Sequence, residues 1–371
     1  MNRRKEKGWI LIFLTVFILG IGLSAYAAVA IDPFFHFHAP LTDRFFYQLN
    51  SERNQNDGIT RYFAYTGMII GTSETELFKA SLAEKLFGGT FIKTPNFGGA
   101  YREMNDSIAR ALKRNPELKT VIRGLDIEYL LYDKDEMRYE LSTFPFYLYD
   151  DDPLNDIRYM LNRSVLFDRV CGMISARGRK NFKPGITTFD DYGYWYKGMS
   201  VGPEAVCPEG LTNPEAGDLE PASDETKTRI RAGYRQNITD LAEQYPDVTF
   251  NLFLTPYSLA WWRDMVAAGT AAKWVDAEKT LTEEALRYPN IRLFSWNDRT
   301  DIIGNLNNYI DKTHYGPWIC DQILQYIQEG AGLLTKENYE SFFEREIELY
   351  RTFDYASMME STVPAHGDGK R

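Results

Sequence analysis

Two short stretches carry residue types that could perform acyl transfer. GTSETELFKA, residues 71–80, places Ser73 directly after the apolar run Met68-Ile69-Ile70. IDKTHYGPW, residues 310–318, places Asp311 three residues before His314. A serine hydroxyl needs a base to become a nucleophile, and an imidazole needs a carboxylate on its other nitrogen to hold the right tautomer. In one loop, Asp-x-x-His lets the carboxylate of Asp311 take the Nδ1–H of His314, leaving Nε2 for Ser73. The choice of base is narrow. Of four histidines, His36 and His38 stand beside an apolar N-terminal run and His366 lies in a polar tail, so only His314 falls in the globular part. A second reading of the serine stands beside the first. Ser73 to Glu76 spells Ser-x-x-Glu, a capping box in which the hydroxyl accepts a backbone N–H and the glutamate reaches back.

The elements that must position these residues are read from periodicity. Short apolar runs at Gly67–Gly71, Thr90–Lys93, Thr120–Leu125, Val248–Thr255 and Ile291–Phe294 predict strands. Helical patterns are expected over 74–86, 101–114, 225–245, parts of 258–288, and 317–330. This alternation predicts an α/β domain with a parallel sheet covered on both faces, joined by right-handed crossovers. In such a sheet the ligand crevice lies beyond the carboxyl ends of the strands, where Ser73 would stand at a helix N-terminus. Residues 127–224, rich in Tyr, Phe, Asp, Gly and Pro, interrupt the rhythm and read as an insertion, with a helical piece near 156–161. It could form a lid or a wall, or pack elsewhere. The boundaries drawn are a stub and anchor over 1–31, a collar over 32–65, the α/β domain over 66–335 and a C-terminal helix and tail over 336–371. Met358–Arg371 reads as frayed.

Gly71-Thr72-Ser73 after an early strand and Asp311-x-x-His314 near the end resemble the first and last blocks of the SGNH, or GDSL-type, hydrolase superfamily. With the apolar N-terminus, the chain most resembles its membrane-anchored DltD-type members, which serve teichoic-acid D-alanylation and envelope polymer acylation. The resemblance implies a flavodoxin-like α/β/α domain and a site with Ser73, His314 and Asp311 as the catalytic triad. It implies no cofactor and no metal. It also implies an envelope polymer as substrate, and a membrane-bound O-acyltransferase as a possible partner. The superfamily expects an oxyanion-donor glycine after the second strand and an asparagine after the third. Asn96-Phe97-Gly98-Gly99 offers the Gly98 N–H and the Asn96 side chain. After the third strand stands Gly124-Leu125-Asp126, and an ionised Asp126 cannot donate. The implied activity is therefore a serine esterase or O-acyltransferase. The alternative is a degenerate accessory protein that binds polymer for a membrane acyltransferase.

Gly8 to Ile31 is uncharged and follows Arg3, Arg4 and Lys5. It meets the length of ~20 apolar residues that a bilayer requires, and the basic flank predicts a cytoplasmic N-terminus with the main domain outside. Ala25-Tyr26-Ala27 and Ala28-Val29-Ala30 also resemble signal-peptide cleavage sites, but the run is long for one. The net charge is −10 over 371 residues, and we read no basic patch beyond the first seven residues, which argues against nucleic acid. Among the cysteines 171, 207 and 320, an oxidising exterior would permit a Cys171–Cys207 bridge. His36-x-His38 could hold a metal on one face of a strand but lacks a third ligand. Thr255-Pro256-Tyr257 reads as an ordinary strand exit.

Overall fold

The structure is a computed structural model that describes residues 3–138, 144–215, 217 and 219–360. The described residues divide into two compact units. One comprises Met1–Phe63 with Tyr139–Thr188, and the other Ala64–Arg138 with Phe189–Arg371.

Seven strands occur among the described residues: β1 (Phe46–Tyr47), β2 (Gly67–Ile70), β3 (Phe91–Lys93), β4 (Thr120–Leu125), β5 (Gly185–Ile186), β6 (Thr249–Leu254) and β7 (Ile291–Phe294). In the second unit, five of them form a wholly parallel sheet in the order β3-β2-β4-β6-β7. Counted along that sheet alone, the order is 2-1-3-4-5, the flavodoxin-like arrangement, which reverses direction beside β2. Strands covered on both faces should be apolar throughout. Accordingly, every residue of β2 and β3 is buried, the one charged residue being Lys93, whose Nζ donates to the Glu76 and Phe78 carbonyls. Two sets of helices cover the sheet. The Ala80–Phe87 helix packs on Pro317–Glu329. The Tyr101–Arg114 helix packs on the wide turn Arg235–Thr239, which continues Asp224–Tyr234, itself packed on Ala271–Ala285. The five expected strands are present to within two residues at each end, and the 101–114 and 317–330 helices to within one. The expected 74–86 helix is shorter. A 3₁₀ turn occupies Ser73–Thr75, and the α-helix begins only at Ala80.

The first unit is mainly helical, with the N-terminal helix Arg3–Ile31, Glu52–Tyr62, Ile157–Met160 and the stretch 164–177, and its two strands are two residues each. The Lys7–Ile31 portion has a mean hydropathy of 2.4 and is long and apolar enough to span a membrane. Its last turns enter the unit's core, where Ala28 and Ile31 are buried. Directly after it, Asp32 takes the left-handed conformation with φ 48°. Its carboxylate accepts the backbone N–H groups of His36, Phe37 and His38 and the Tyr159 hydroxyl. One buried side chain thus closes the turn after the N-terminal helix and ties it to Tyr159. Residues 36–38 therefore lie in a turn and not on a strand. His36 binds Asp156 and His38 binds the Val29 and Ala39 carbonyls, so the two rings take separate partners.

All three cysteines are free thiols, Cys171 exposed and Cys207 and Cys320 buried, so the permitted Cys171–Cys207 bridge is not formed. Met358–Glu360, read as part of a frayed tail, instead ends the 3₁₀ segment Tyr355–Glu360. The remainder of that tail, with His366, lies outside the described residues.

Candidate active site

The loop after β2 is set by two side chains next to Ser73. The Thr72 hydroxyl accepts the Glu74 N–H and donates to Asp126 Oδ2 at 2.7 Å. Thr72, not Ser73, is therefore the N-cap of the Ser73–Thr75 turn, which corrects the capping-box reading. The physical reason is local. Ser73 is itself the first residue of the helical turn, so the flanking Thr72 hydroxyl takes the capping position. Gly71 permits the turn, because a Cβ there would stand 2.4 Å from the Thr75 methyl. Ser73 Oγ is left to face outward from the cap, 2.8 Å from His314 Nε2.

His314 is held by its own loop. Asp311 Oδ1 accepts the N–H groups of Thr313 and His314, both at 2.8 Å, while Oδ2 lies 2.7 Å from His314 Nδ1. One carboxylate thus folds the loop and orients the ring. The Ile310 N–H donates to the His314 carbonyl, and the Lys312 carbonyl accepts from Ser258, which fastens the loop to the end of β6. The structure brings Ser73, His314 and Asp311 into one relay. With Nδ1–H given to Asp311, Nε2 is the lone pair that faces the hydroxyl, the arrangement that deprotonates a serine.

Asn96 and Gly98 lie in the loop after β3. The Asn96 N–H donates to the Gly71 carbonyl at 2.8 Å, so this loop lies against the serine loop. The Asn96 side chain donates back to Thr94 at 3.3 Å, which uses one of its two amide hydrogens. Gly98 has φ 56°, and a Cβ there would collide with the Arg138 guanidinium. Asp126, after β4, is turned inward. Its Oδ2 is taken by Thr72, its Oδ1 is buried without a partner, and its carbonyl accepts the Tyr101 hydroxyl. It braces the loop that carries Ser73. Thr255 joins the same bracing through the Ile127 N–H, and Tyr257 is buried, as an ordinary strand exit requires.

Two residues of the site escaped the sequence reading. Glu74 is 4 % exposed, and its Oε1 lies 3.6 Å from His314 Nε2, while Oε2 is buried without a partner. The capping-box pattern drew attention to Glu76 instead. Trp195 sets its ring edge-on to His314, with centroids 5.3 Å apart. It lies more than a hundred residues away in an irregular segment, where no spacing rule reaches it.

The acids make a charged neighbourhood. Burial pushes the Asp311 carboxyl up, but hydrogen bonds from the His314 ring and from the His314 and Thr313 backbones outweigh it and hold Asp311 at about 2. Burial opposes charge on His314, but Glu74, Asp311 and Asp126 together outweigh it and lift the imidazole to about 9. Burial also raises Glu74 well above the carboxylate range and Asp126 to about 7. Near neutrality Asp126 carries a proton for part of the time, and its pull on His314 weakens accordingly. Asp311, ionised throughout, is the lasting support of the imidazolium.

No protein-family model matches the chain, and no curated protein matches it at a significant level. A solved structure from Streptococcus pneumonia, provisionally described as a platelet activating factor, aligns with 75 % of this chain and 90 % of its own at 12 % identity. Its TM-score is 0.39, too low to carry an argument about activity, so the site stands on its own geometry.

Proposed function

We propose that the chain is a membrane-anchored serine acyl-ester hydrolase or O-acyltransferase that acts on an envelope polymer. The observation that carries this reading is the relay from Asp311 Oδ2 through His314 to Ser73 Oγ, with steps of 2.7 and 2.8 Å. Ser73 Oγ attacks the acyl carbonyl as His314 Nε2 takes its proton. The tetrahedral oxyanion is met by backbone N–H groups, those of Ser73 and Gly98, with the second Asn96 amide hydrogen in reserve. The C–O bond to the leaving alcohol breaks, and His314 returns the proton to that oxygen. The acyl-Ser73 ester is then attacked by water or a polymer hydroxyl, deprotonated by the same imidazole. The ester bond to Ser73 then breaks as the imidazole returns its proton to Oγ, so that water gives an acid and a hydroxyl gives a new ester. Asp126 has no place in contact with substrate in this scheme, because its oxygens are engaged or buried.

The anchored state is supported by the core of the first unit. Removal of the chain up to Ala27 would cut the helix that Ala28 and Ile31 dock, and removal up to Ala30 would also delete Ala28 and the Val29 carbonyl that His38 binds. The accessory reading, presentation of polymer to a membrane-bound O-acyltransferase, draws on Asp126, which stands where the superfamily keeps a donor.

Covalent labelling decides between them. The full-length protein, treated with a fluorophosphonate in detergent, should carry the adduct on Ser73. Ser73→Ala and His314→Ala should each abolish it. A folded protein that takes up no label at Ser73 would favour the accessory role.

A further inference from the structure

The first unit carries a feature that the catalytic reading does not use. Residues 157–183 hold seven arginines and lysines against one acid, Asp168, in a chain whose net charge is −10. This overturns our reading that no basic patch follows the first seven residues. The run went unseen because its charges are spaced three to eight residues apart for most of its length and are interleaved with apolar side chains. Six of the seven, Arg158, Arg163, Arg177, Arg179, Lys180 and Lys183, are exposed, and among the described residues none of these six is in an ion pair. The seventh, Arg169, is turned inward over the Phe34 ring and bonds Asn50.

The same segment exposes apolar surface. Ser164–Val170 and Cys171–Arg177 form one continuous helical stretch that begins with wide π-type turns. Phe167, Cys171 and Ile174, at helical spacing, form an outward stripe, with Phe167 66 % and Ile174 51 % exposed. Arg163 and Arg177 flank the stripe at its two ends. Just before the helix, Ile157 and Leu161 are also exposed. The stretch packs against the N-terminal helix, as does the short Ile157–Met160 helix. The rim cations form no ion pair among the described residues, though Arg177 also lies over the Phe45 ring. An apolar stripe rimmed by such cations beside an apolar N-terminal helix is the composition of an interfacial helix, which buries its apolar face at the headgroup boundary and draws anionic lipid to its basic rim.

We propose that residues 157–183 form an interfacial seat that binds anionic phospholipid headgroups beside the anchor. Charge complementarity and the adjoining apolar helix favour lipid over nucleic acid, which has no use for Phe167 and Ile174 held outward on a helix. They also favour lipid over a protein partner, which would leave the six cations in need of a matching acidic face.

The exposed thiol provides the test, since Cys207 and Cys320 are buried. An environment-sensitive fluorophore is placed on Cys171 of the full-length protein. The protein is reconstituted in phosphatidylcholine bilayers with and without phosphatidylglycerol. We expect blue-shifted emission, and several-fold stronger quenching by a headgroup-level lipid quencher, when phosphatidylglycerol is present. Joint replacement of Arg163, Arg177, Arg179 and Lys180 by Gln should remove that gain while the protein remains in the bilayer. A Phe167→Trp variant gives an intrinsic reporter free of the attached dye, and inaccessibility of Cys207 and Cys320 to thiol reagent reports that the fold is intact. A label that stays in water in both lipids would overturn the proposal and leave the face to a protein partner. Quenching that ignores lipid charge, or tighter binding of an oligonucleotide than of phosphatidylglycerol at physiological salt, would overturn it too.

Discussion

Two histidines of this chain hold a carboxylate at nearly the same distance. His314 Nδ1 meets Asp311 at 2.7 Å, and His36 Nε2 meets Asp156 at 2.6 Å. The difference lies on the other side of each ring. The free nitrogen of His314 faces a serine hydroxyl at the carboxyl end of a strand. His36 is 6 % exposed and boxed by Phe37 and Tyr159, with no nucleophile at its second nitrogen among the described residues. The first pair is arranged to pass a proton and the second to fasten a turn. A carboxylate–imidazole contact says little about chemistry until the second nitrogen and its access are known.

The sharpest way to break that contrast is to cut each carboxylate. Asp311→Asn should lower fluorophosphonate labelling of Ser73 by about 10²–10⁴-fold, because the amide favours the wrong imidazole tautomer. Asp156→Ala should leave the labelling rate within about twofold and lower stability by roughly 1–3 kcal/mol, as expected for loss of a buried hydrogen-bond partner. Equal labelling losses in both variants would erase the distinction.

A third pair, of two acids, sharpens it. Glu278 and Glu346 are buried between the Ala271–Ala285 and Tyr339–Thr352 helices. Each gives one oxygen to a neighbour, Asn297 or Tyr350, and each keeps a second oxygen with no donor. A proton on the pair, which burial favours, would let one carboxyl donate to the other. Burial raises the Glu346 carboxyl from 4.5 to about 7. A folded-state value above the unfolded one means that the fold binds the proton more tightly, so stability falls as pH rises from about 4.5 to about 7. Glu346→Gln should flatten that fall by roughly 2 kcal/mol, read from thermal melts on either side of the window. Parallel melting curves for variant and parent would rule out the proton on the pair.

The smallest effect expected is at Glu74. The base form of His314 is needed, so labelling should rise with pH through a midpoint near 9. Glu74→Gln removes a negative neighbour and should move that rise down by about one pH unit. An unmoved profile would mean that Glu74 already holds its proton where the serine reacts.

What the sequence made legible follows from how each region is held together. The sheet could be read because its strands are short apolar runs bounded by Gly, Pro and Asn. Ser73, His314 and Asp311 could be found because strand ends and a single loop motif limit where a hydroxyl, an imidazole and a carboxylate can meet. The choice between Thr72 and Ser73 as cap could not be read, since adjacent hydroxyls offer the same chemistry and only the residue at which the turn begins separates them. Trp195 reaches His314 through tertiary packing that no periodicity encodes. In the first unit, β1 and β5 are two residues each, and the binding of three N–H groups by Asp32 depends on a left-handed backbone at a non-glycine residue. Such contacts leave almost no trace in a pattern of apolar and polar residues.

The entry of the N-terminal helix into the first unit has a mechanical consequence for the anchored state proposed above. The Tyr47 hydroxyl donates to the Ile31 carbonyl, and the Asp32 turn follows with no linker between helix and core. A flexible tether would let the unit swivel above the bilayer. This one is set on its helix like a lamp on a post. Its height and tilt are those of the post, and any change in bilayer thickness that leans the helix must lean the unit by the same angle.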